Sequence, residues 1–148
     1  MIGILLVSHE PLGTALLRCT RHIYGRLPPQ TAALDVVPDE DPDAAHHSAL
    51  ELVKRINDGS GVLVLTDAWG ATPARIAGRL VDPLRIEVVS GMSLPMMCRA
   101  LTYRRRPMEE LVPLVAEGAR EAVRVIAPAD RDASCASPDK DPPCLPRK

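Results

Sequence analysis

The sequence predicts an α/β protein with an open, mostly parallel, doubly wound sheet in the strand order 2-1-3-4. Short runs of Val, Leu and Ile alternate with longer segments whose apolar residues recur at helical spacing. The short runs are continuously apolar, which is typical of strands covered by helices on both faces. Such alternation predicts a parallel sheet between two helical layers.

The first predicted unit is a strand, a helix and a second strand. Residues 2–8 form an uninterrupted apolar run, which indicates a buried strand. Residues 11–25 carry apolar side chains at helical spacing, and Gly25 is suited to end the helix. Residues 32–37 form the second strand, which Pro38 ends.

The middle of the chain repeats this alternation. Asp41 and Pro42 are an N-cap and first-turn pair, and the helix they begin ends at the sequence NDGSG. Residues 62–66, VLVLT, predict the third strand. After the loop DAWGA, Thr72 and the proline behind it begin a helix that we expect to reach about Val81.

The last third predicts one more strand, two helices and a short final strand. Residues 85–90, RIEVVS, form the fourth strand, and residues 95–101 form a helix that the sequence RRRP ends. Residues 109–120 carry an apolar stripe and predict a further helix. Residues 122–126, AVRVI, read as a last short strand.

We expect one folded domain over residues 1–127 and a disordered, Pro-rich tail over residues 128–148. The tail contains Cys135 and Cys144, which read as free thiols. Cys19 and Cys98 lie in apolar segments and are expected to be small buried residues.

Composition excludes several classes of function. A net charge of −1 and only 2% aromatic residues argue against nucleic-acid binding. The chain has no basic leader and no apolar run long enough to insert into a membrane, so we expect a cytoplasmic protein. P-loop, dinucleotide and zinc motifs are missing from the sequence, so no cofactor or metal is predicted.

Polar residues follow the first and third strands, which would be neighbours in the predicted order. The first strand ends in Ser8, His9 and Glu10, and the third ends in Thr66 and Asp67. A histidine in this position can be a structural residue, a metal ligand or a nucleophile. A carboxylate that accepts one ring N–H would fix the tautomer and stabilise the cation formed when the other nitrogen attacks.

An anion site is predicted beside this pair. Gly70 allows close approach of the backbone. The N–H groups of the turn at Gly70, Ala71 and Thr72, together with the Thr72 hydroxyl, favour a negative group at the helix start. The combination suits a phosphoryl group carried on His9.

For each of these residues, a purely structural interpretation remains open. His9 alone is more often structural, Asp67 alone could cap a loop, and Thr72 with its proline is an ordinary helix start. A receiver domain would also place an aspartate after its third strand, but it needs acidic residues after the first strand to hold Mg²⁺. The run RRRP is expected to be a solvated charge cluster, with an acidic partner as the minority reading.

Three stretches of the chain resemble a known family. The sequences GILLVSHEPLGTALL, GVLVLTDAWGATPARIA and VVSGMSLPMM are similar to the IIA component of the mannose/fructose/sorbose family of the sugar phosphotransferase system. The resemblance covers roughly residues 1–127. The phosphotransfer subunit of dihydroxyacetone kinase looks similar around the histidine.

The resemblance implies a role for each matched residue. His9 matches the histidine that accepts a phosphoryl group from the carrier protein HPr and passes it to a IIB component. Asp67 matches the carboxylate that orients it, and Thr66 and Thr72 match hydroxyl positions near the phosphoryl group. The family is usually a homodimer that exchanges a C-terminal strand, here residues 122–126, and its transfer step needs no metal.

Two departures from the family accompany this resemblance. Family members often have Gly after the histidine, whereas this chain has Glu10, whose carboxylate would repel a phosphoryl group unless it points away. The chain also continues into the Pro-rich tail rather than a linker to a IIB domain. We therefore expect either a phosphocarrier that serves a separate IIB protein of a membrane-associated complex, or a regulatory docking module of the same fold.

Overall fold

In the part of the chain that the structure describes, the sheet contains four parallel strands in the order β2-β1-β3-β4. A computed structural model describes residues 1–127 of the chain. Its strands are β1 (Gly3–His9), β2 (Thr31–Val36), β3 (Val62–Thr66) and β4 (Ile86–Ser90). The predicted fold class and strand order are confirmed.

Within residues 1–127, five helices cover the two faces of the sheet. They are α1 (Leu12–Tyr24), α2 (Pro42–Ile56), α3 (Thr72–Gly78), α4 (Leu94–Tyr103) and α5 (Met108–Glu121). Residues of α2 and α3 pack in one core with Leu5 and Val7 of β1. Residues of α1, α4 and α5 pack in the other core with Ile4 and Leu6. Adjacent residues of β1 thus point into opposite cores, which is why the whole run is apolar.

Local sequence signals explain where several of the helices begin or end. Gly25 ends α1 in the left-handed conformation at φ 73°. The Asp41 side chain accepts a hydrogen bond from the Asp43 N–H at 3.1 Å and caps α2. Ser93 caps α4 by accepting from the Met96 N–H at 3.3 Å. The helix predicted to reach Val81 ends earlier, at Gly78, because the chain there turns toward β4.

The predicted last strand is not formed in this chain. Residues 122–127 belong to no strand, and Val123, Val125 and Ile126 are exposed. A β-strand needs a neighbour to pair its backbone groups, and within residues 1–127 these residues meet none. Cys135, Cys144 and the predicted disordered tail lie outside the described residues.

Two further expectations are wrong in ways that periodicity could not reveal. Cys19 is exposed, because α1 turns Gly13, Leu16 and Thr20 toward the sheet instead. Arg104, in the run expected to be solvated, is only 7% exposed. Its carbonyl accepts from the Ile2 N–H at 2.9 Å, and this hydrogen bond holds the arginine against the start of β1. Cys98 is buried as predicted.

Among residues 1–127, no helix is both long and apolar enough to cross a membrane.

Candidate functional site

The residues predicted to act together meet at the carboxyl edge of the sheet. β1 and β3 are paired in parallel with Val7 opposite Thr66, so His9 and Asp67 both emerge just past the pairing. The His9 Nδ1 atom lies 2.7 Å from Asp67 Oδ2. The same carboxylate oxygen accepts the His9 backbone N–H at 2.8 Å. Both the ring and the backbone of the histidine are therefore anchored to one carboxylate.

The surroundings of Asp67 favour its ionised form. Burial by itself raises the pKa of this carboxyl, whose side chain is 11% exposed. The backbone N–H groups of His9 and Ala68 and the His9 ring outweigh that effect and hold the pKa below its ordinary value. The Ala68 N–H donates to the second oxygen, Oδ1, at 2.7 Å. An ionised carboxylate can only accept, so the proton between the pair belongs to His9 Nδ1.

The exposure of the pair is asymmetric. The His9 side chain is 56% exposed although its orienting carboxylate is nearly buried. With the proton on Nδ1, the neutral ring carries its lone pair on Nε2, the nitrogen away from Asp67. The arrangement presents a nucleophilic nitrogen of fixed tautomer to a group arriving from solvent.

Thr66 lies on the same face of the sheet as His9. In-register residues of parallel strands point to one face, and Val7, opposite Thr66, is two residues before His9. The Thr66 Oγ1 atom is buried and has no hydrogen-bond partner among the described residues. Unpaired buried hydroxyls are uncommon, so this one is a candidate donor for an arriving anion.

The start of α3 lies beyond the same edge. Gly70 adopts φ 80°, which side chains rarely adopt. Ala71 is the N-cap and offers no side-chain acceptor for the first-turn N–H groups, unlike Asp41 at the start of α2 and Ser93 at the start of α4. α3 contributes Ile76 and Ala77 to the core on the His9 face. Thr72 is exposed, and no hydrogen bond joins residues 70–72 to His9 in the described chain.

The loop after β4 supports the site, which the sequence did not reveal. The Gly91 N–H donates to the Asp67 carbonyl at 2.7 Å, and the Met92 N–H donates to the Thr66 carbonyl at 2.9 Å. Gly91 adopts φ 80° in order to make this turn. The only available signal was the sequence SGMSLP, whose glycine directly follows a predicted strand.

Glu10, the residue after His9, is exposed to solvent. Its backbone N–H donates to the Val36 carbonyl at 3.1 Å, which ties the residue to the end of β2. Its exposed carboxylate makes no hydrogen bond or ion pair within residues 1–127. Solvent therefore screens the charge that the sequence placed beside the histidine.

Metal-ligand clusters are not part of this site. Across residues 1–127, no group of three or more His, Cys, Asp or Glu side chains is arranged to hold a metal ion.

The family to which the chain belongs is decided by a match over most of its length. A protein-family model described as EIIA-man, PTS system fructose IIA component, matches residues 3–117. The chain belongs to this family. The resemblance expected from the sequence is thereby confirmed, and the protein is a IIA component of the mannose family of the phosphotransferase system.

Curated relatives of this IIA protein are longer than it. The mannose-specific EIIAB component of Escherichia coli (strain K12) is 29% identical over 128 residues, which are 84% of this chain and 39% of the relative. The EIIAB component of Shigella flexneri matches to the same extent. The chain thus spans about two fifths of the length of these relatives.

Solved structures share the fold of the IIA chain. The EIIA component from Streptococcus agalactiae superposes with a TM-score of 0.76 at 24% identity, covering 84% of this chain and 97% of the other. The mannose/sorbose-specific IIA subunit from Enterococcus faecalis gives a TM-score of 0.76 at 23% identity, covering 85% and 95%. At these identities the likeness supports the fold alone.

Proposed function

We propose that this protein is a cytoplasmic phosphocarrier that accepts a phosphoryl group from phospho-HPr on His9 and passes it to a IIB component. The observation that carries the proposal is the 2.7 Å contact between His9 Nδ1 and a carboxylate that is nearly buried and held ionised. This contact leaves the exposed Nε2 as the attacking atom. Membership in the IIA family supports the same chemistry.

The transfer step balances with the residues present. His9 Nε2 donates its lone pair to phosphorus while the bond from phosphorus to the donor's imidazole nitrogen breaks. The donor nitrogen takes back that electron pair, and His9 becomes a phosphorylated imidazolium that keeps its Nδ1 proton. Asp67 stabilises this cation because its charge already lies against Nδ1. The reverse sequence at a histidine or cysteine of the acceptor discharges the carrier.

Donors at the carboxyl edge would receive the phosphoryl oxygens. Thr66 Oγ1 is a buried hydroxyl without a partner among residues 1–127, on the His9 face. No side chain caps the backbone N–H groups in the turn of Gly70, Ala71 and Thr72, and within residues 1–127 the Ala71 N–H donates to the Ala68 carbonyl at 3.2 Å. We assign these four residues to phosphoryl binding, and solvent screens the charge of the exposed Glu10 beside them.

Apolar side chains around His9 are suited to docking of the partner proteins. Trp69 is 89% exposed, and two further exposed side chains lie at the same edge of the sheet: Leu12, the first residue of α1, and Val37, directly after β2. An exposed tryptophan is unusual in a surface and is a common energetic centre of interfaces. We propose that HPr and the acceptor protein both cover Trp69 when their histidine or cysteine approaches His9.

Phosphoryl labelling tests this function. The protein is incubated with labelled phosphoenolpyruvate, enzyme I and HPr, and the phosphorylated residue is mapped. We expect an acid-labile, base-stable adduct on His9 and no adduct on His9→Ala, with His47→Ala, an exposed histidine of α2, as the matched control. Absence of label on the wild type, or full label on His9→Ala, would reject the proposal. Label that enters His9 but reaches no IIB protein would favour the regulatory docking module.

A homodimer with exchanged C-terminal strands is the second part of this proposal. β4 is paired on one side only and is partly exposed along its whole length. Val125 is 96% exposed, and Val123 and Ile126 are also exposed directly after α5. Pairing this segment with β4 of a second copy would satisfy both. Val125→Asp should shift the molecular mass from dimer to monomer in light scattering, whereas a wild-type monomer would contradict the exchange.

A further inference from the structure

A cationic cavity opens at the edge of the sheet opposite His9. It has a volume of about 560 Å³. Its walls come from the start of β1, the loop before β3 and the loop between α4 and α5. They consist of Met1, Ile2, Ser60, Arg104, Arg105, Arg106 and Pro107. The volume lies in the range of cavities that hold small molecules.

Arg104, one of the residues that line this cavity, carries a buried charge without a counter-charge among residues 1–127. Arg104 is only 7% exposed, and its Nη1 donates to the Pro29 carbonyl at 2.7 Å. Guanidinium has five N–H donors and remains charged in proteins. Among residues 1–127, no carboxylate forms an ion pair with Arg104. Buried charges are normally paired, whereas Arg104 has no anionic partner within the described chain.

The residues next to Arg104 add to the positive charge that no carboxylate compensates. Arg105 is exposed and has no ion pair within residues 1–127. Arg106 is paired with Glu110 at 3.2 Å and lies over the Tyr103 ring. Asp58, the carboxylate beside Ser60, already binds the Met1 amino group at 2.7 Å and the Ser60 N–H at 3.0 Å. The positive charge of Arg104 and Arg105 is thus left for a ligand.

We propose that this cavity binds a small phosphate-bearing anion, held by Arg104 and Arg105 with the Ser60 hydroxyl at its rim. The planar fork of a guanidinium matches two phosphate oxygens at once. Arg104 is only 7% exposed, so a small anion reaches it more easily than the side chains of an acidic protein surface do. The chain's own residues 128–148 are a poor occupant, because their four aspartates are balanced by four basic residues.

This site is separate from the proposed phosphoryl acceptor. Arg104 is joined to the start of β1 through the Ile2 N–H at 2.9 Å, whereas His9 is the last residue of that strand. Seven residues of strand separate them by roughly 20 Å. A ligand in the cavity therefore does not contact the groups around His9, and the two proposals stand or fall independently.

The test is a titration of the full chain with pyrophosphate, followed by the backbone amide resonances of each residue. Phosphate could also bind beside His9, so a site-resolved measurement is needed. We expect saturable shifts at Ser60, Arg105 and Arg106. Arg105→Gln, at an exposed position where folding is not at risk, should weaken this binding at least fivefold. His9→Ala should leave it unchanged.

Two further variants complete the design. Arg104→Lys keeps a positive charge in the wall but loses the fork, so it should also weaken binding at least fivefold. Arg18→Gln removes an exposed arginine of α1 and should have no effect. The proposal is overturned if the shifts occur only at His9 and Thr72, or if Arg105→Gln binds with wild-type affinity. It is also overturned if a hexaglutamate peptide binds the cavity more tightly than pyrophosphate.

Discussion

The charges near the two ends of β1 differ in how the chain compensates them. At the carboxyl end, Asp67 is nearly buried, yet three hydrogen bonds from His9 and Ala68 satisfy it. At the amino end, Arg104 is 7% exposed; within residues 1–127 its guanidinium donates to the Pro29 carbonyl and forms no ion pair with a carboxylate. Under the proposed function, the carboxylate that the chain itself compensates orients His9. A missing counter-charge marks a place where a ligand supplies it.

The test with the largest expected effect removes the negative charge of Asp67 at the carboxyl end of β1. Asp67→Asn keeps the size of the side chain but loses the negative charge that fixes the His9 tautomer. We expect the rate of phosphoryl transfer from HPr to fall by about 10²- to 10⁴-fold. Rapid-quench labelling measures it. Asp39→Asn, at an exposed turn, is the control. Unchanged transfer in Asp67→Asn would remove the carboxylate from the mechanism.

The second test compares glycines at the two edges. Gly61, before β3, has φ 97°, and an added Cβ would lie 2.6 Å from the Arg85 carbonyl oxygen. Gly61→Ala combines left-handed strain with overpacking, so we expect a loss of about 2–5 kcal/mol in unfolding free energy. Gly70→Ala has similar strain but open space, and should lose about 1–2 kcal/mol.

Urea unfolding of both glycine variants gives this comparison directly. Equal losses would show that the loop beside His9 is packed as rigidly as the arginine edge, contrary to its open surroundings.

The third test concerns the exposed apolar side chain of Trp69, in the loop that follows β3. Trp69→Ala removes an exposed ring, so its effect on stability should stay within about 0.5 kcal/mol. If HPr docks on Trp69, the KM for HPr should rise about tenfold while kcat is retained. Val81→Ala, another exposed apolar residue, should change neither value. A normal KM in Trp69→Ala would place the docking surface elsewhere.

The smallest expected effect is the pH dependence of stability. Folding lowers the pKa of Asp67, so its ionised form stabilises the native state at neutral pH. That contribution is complete above the ordinary pKa of about 3.9 and is lost as the pH falls through the lower folded-state value. The stability difference between wild type and Asp67→Asn should therefore shrink in acid. A difference that grows in acid would contradict the direction of the pKa shift.

Sequence patterns were sufficient for the sheet and for the His9–Asp67 contact. Continuous apolar runs identified the buried strands, and Gly25 and Asp41 marked helix ends through local backbone chemistry. Once the strand order was expected, the carboxyl ends of β1 and β3 had to be neighbours. The contact between His9 and Asp67 followed from that order, although 58 positions separate them.

Other features depended on contacts between distant segments. Cys19 and Arg104 were misjudged because burial depends on which helical face meets the sheet and on where a loop returns. The support that Gly91 gives to the Asp67 carbonyl comes from backbone groups, which carry no side-chain signal. Residues 122–126 have a strand-like composition, but a strand forms only where another strand edge is available.

By itself, the sequence determined the alternation of strands and helices, the buried character of β1 and the chemical types placed at its end. These features follow from short-range periodicity and from residue chemistry, both of which can be read from the order of residues along the chain. Only the tertiary structure decided that Asp67 is held ionised against His9, that Glu10 is exposed and that Arg104 is buried without a counter-charge. Electrostatic energies depend on distance and on burial, and both arise when remote segments pack together.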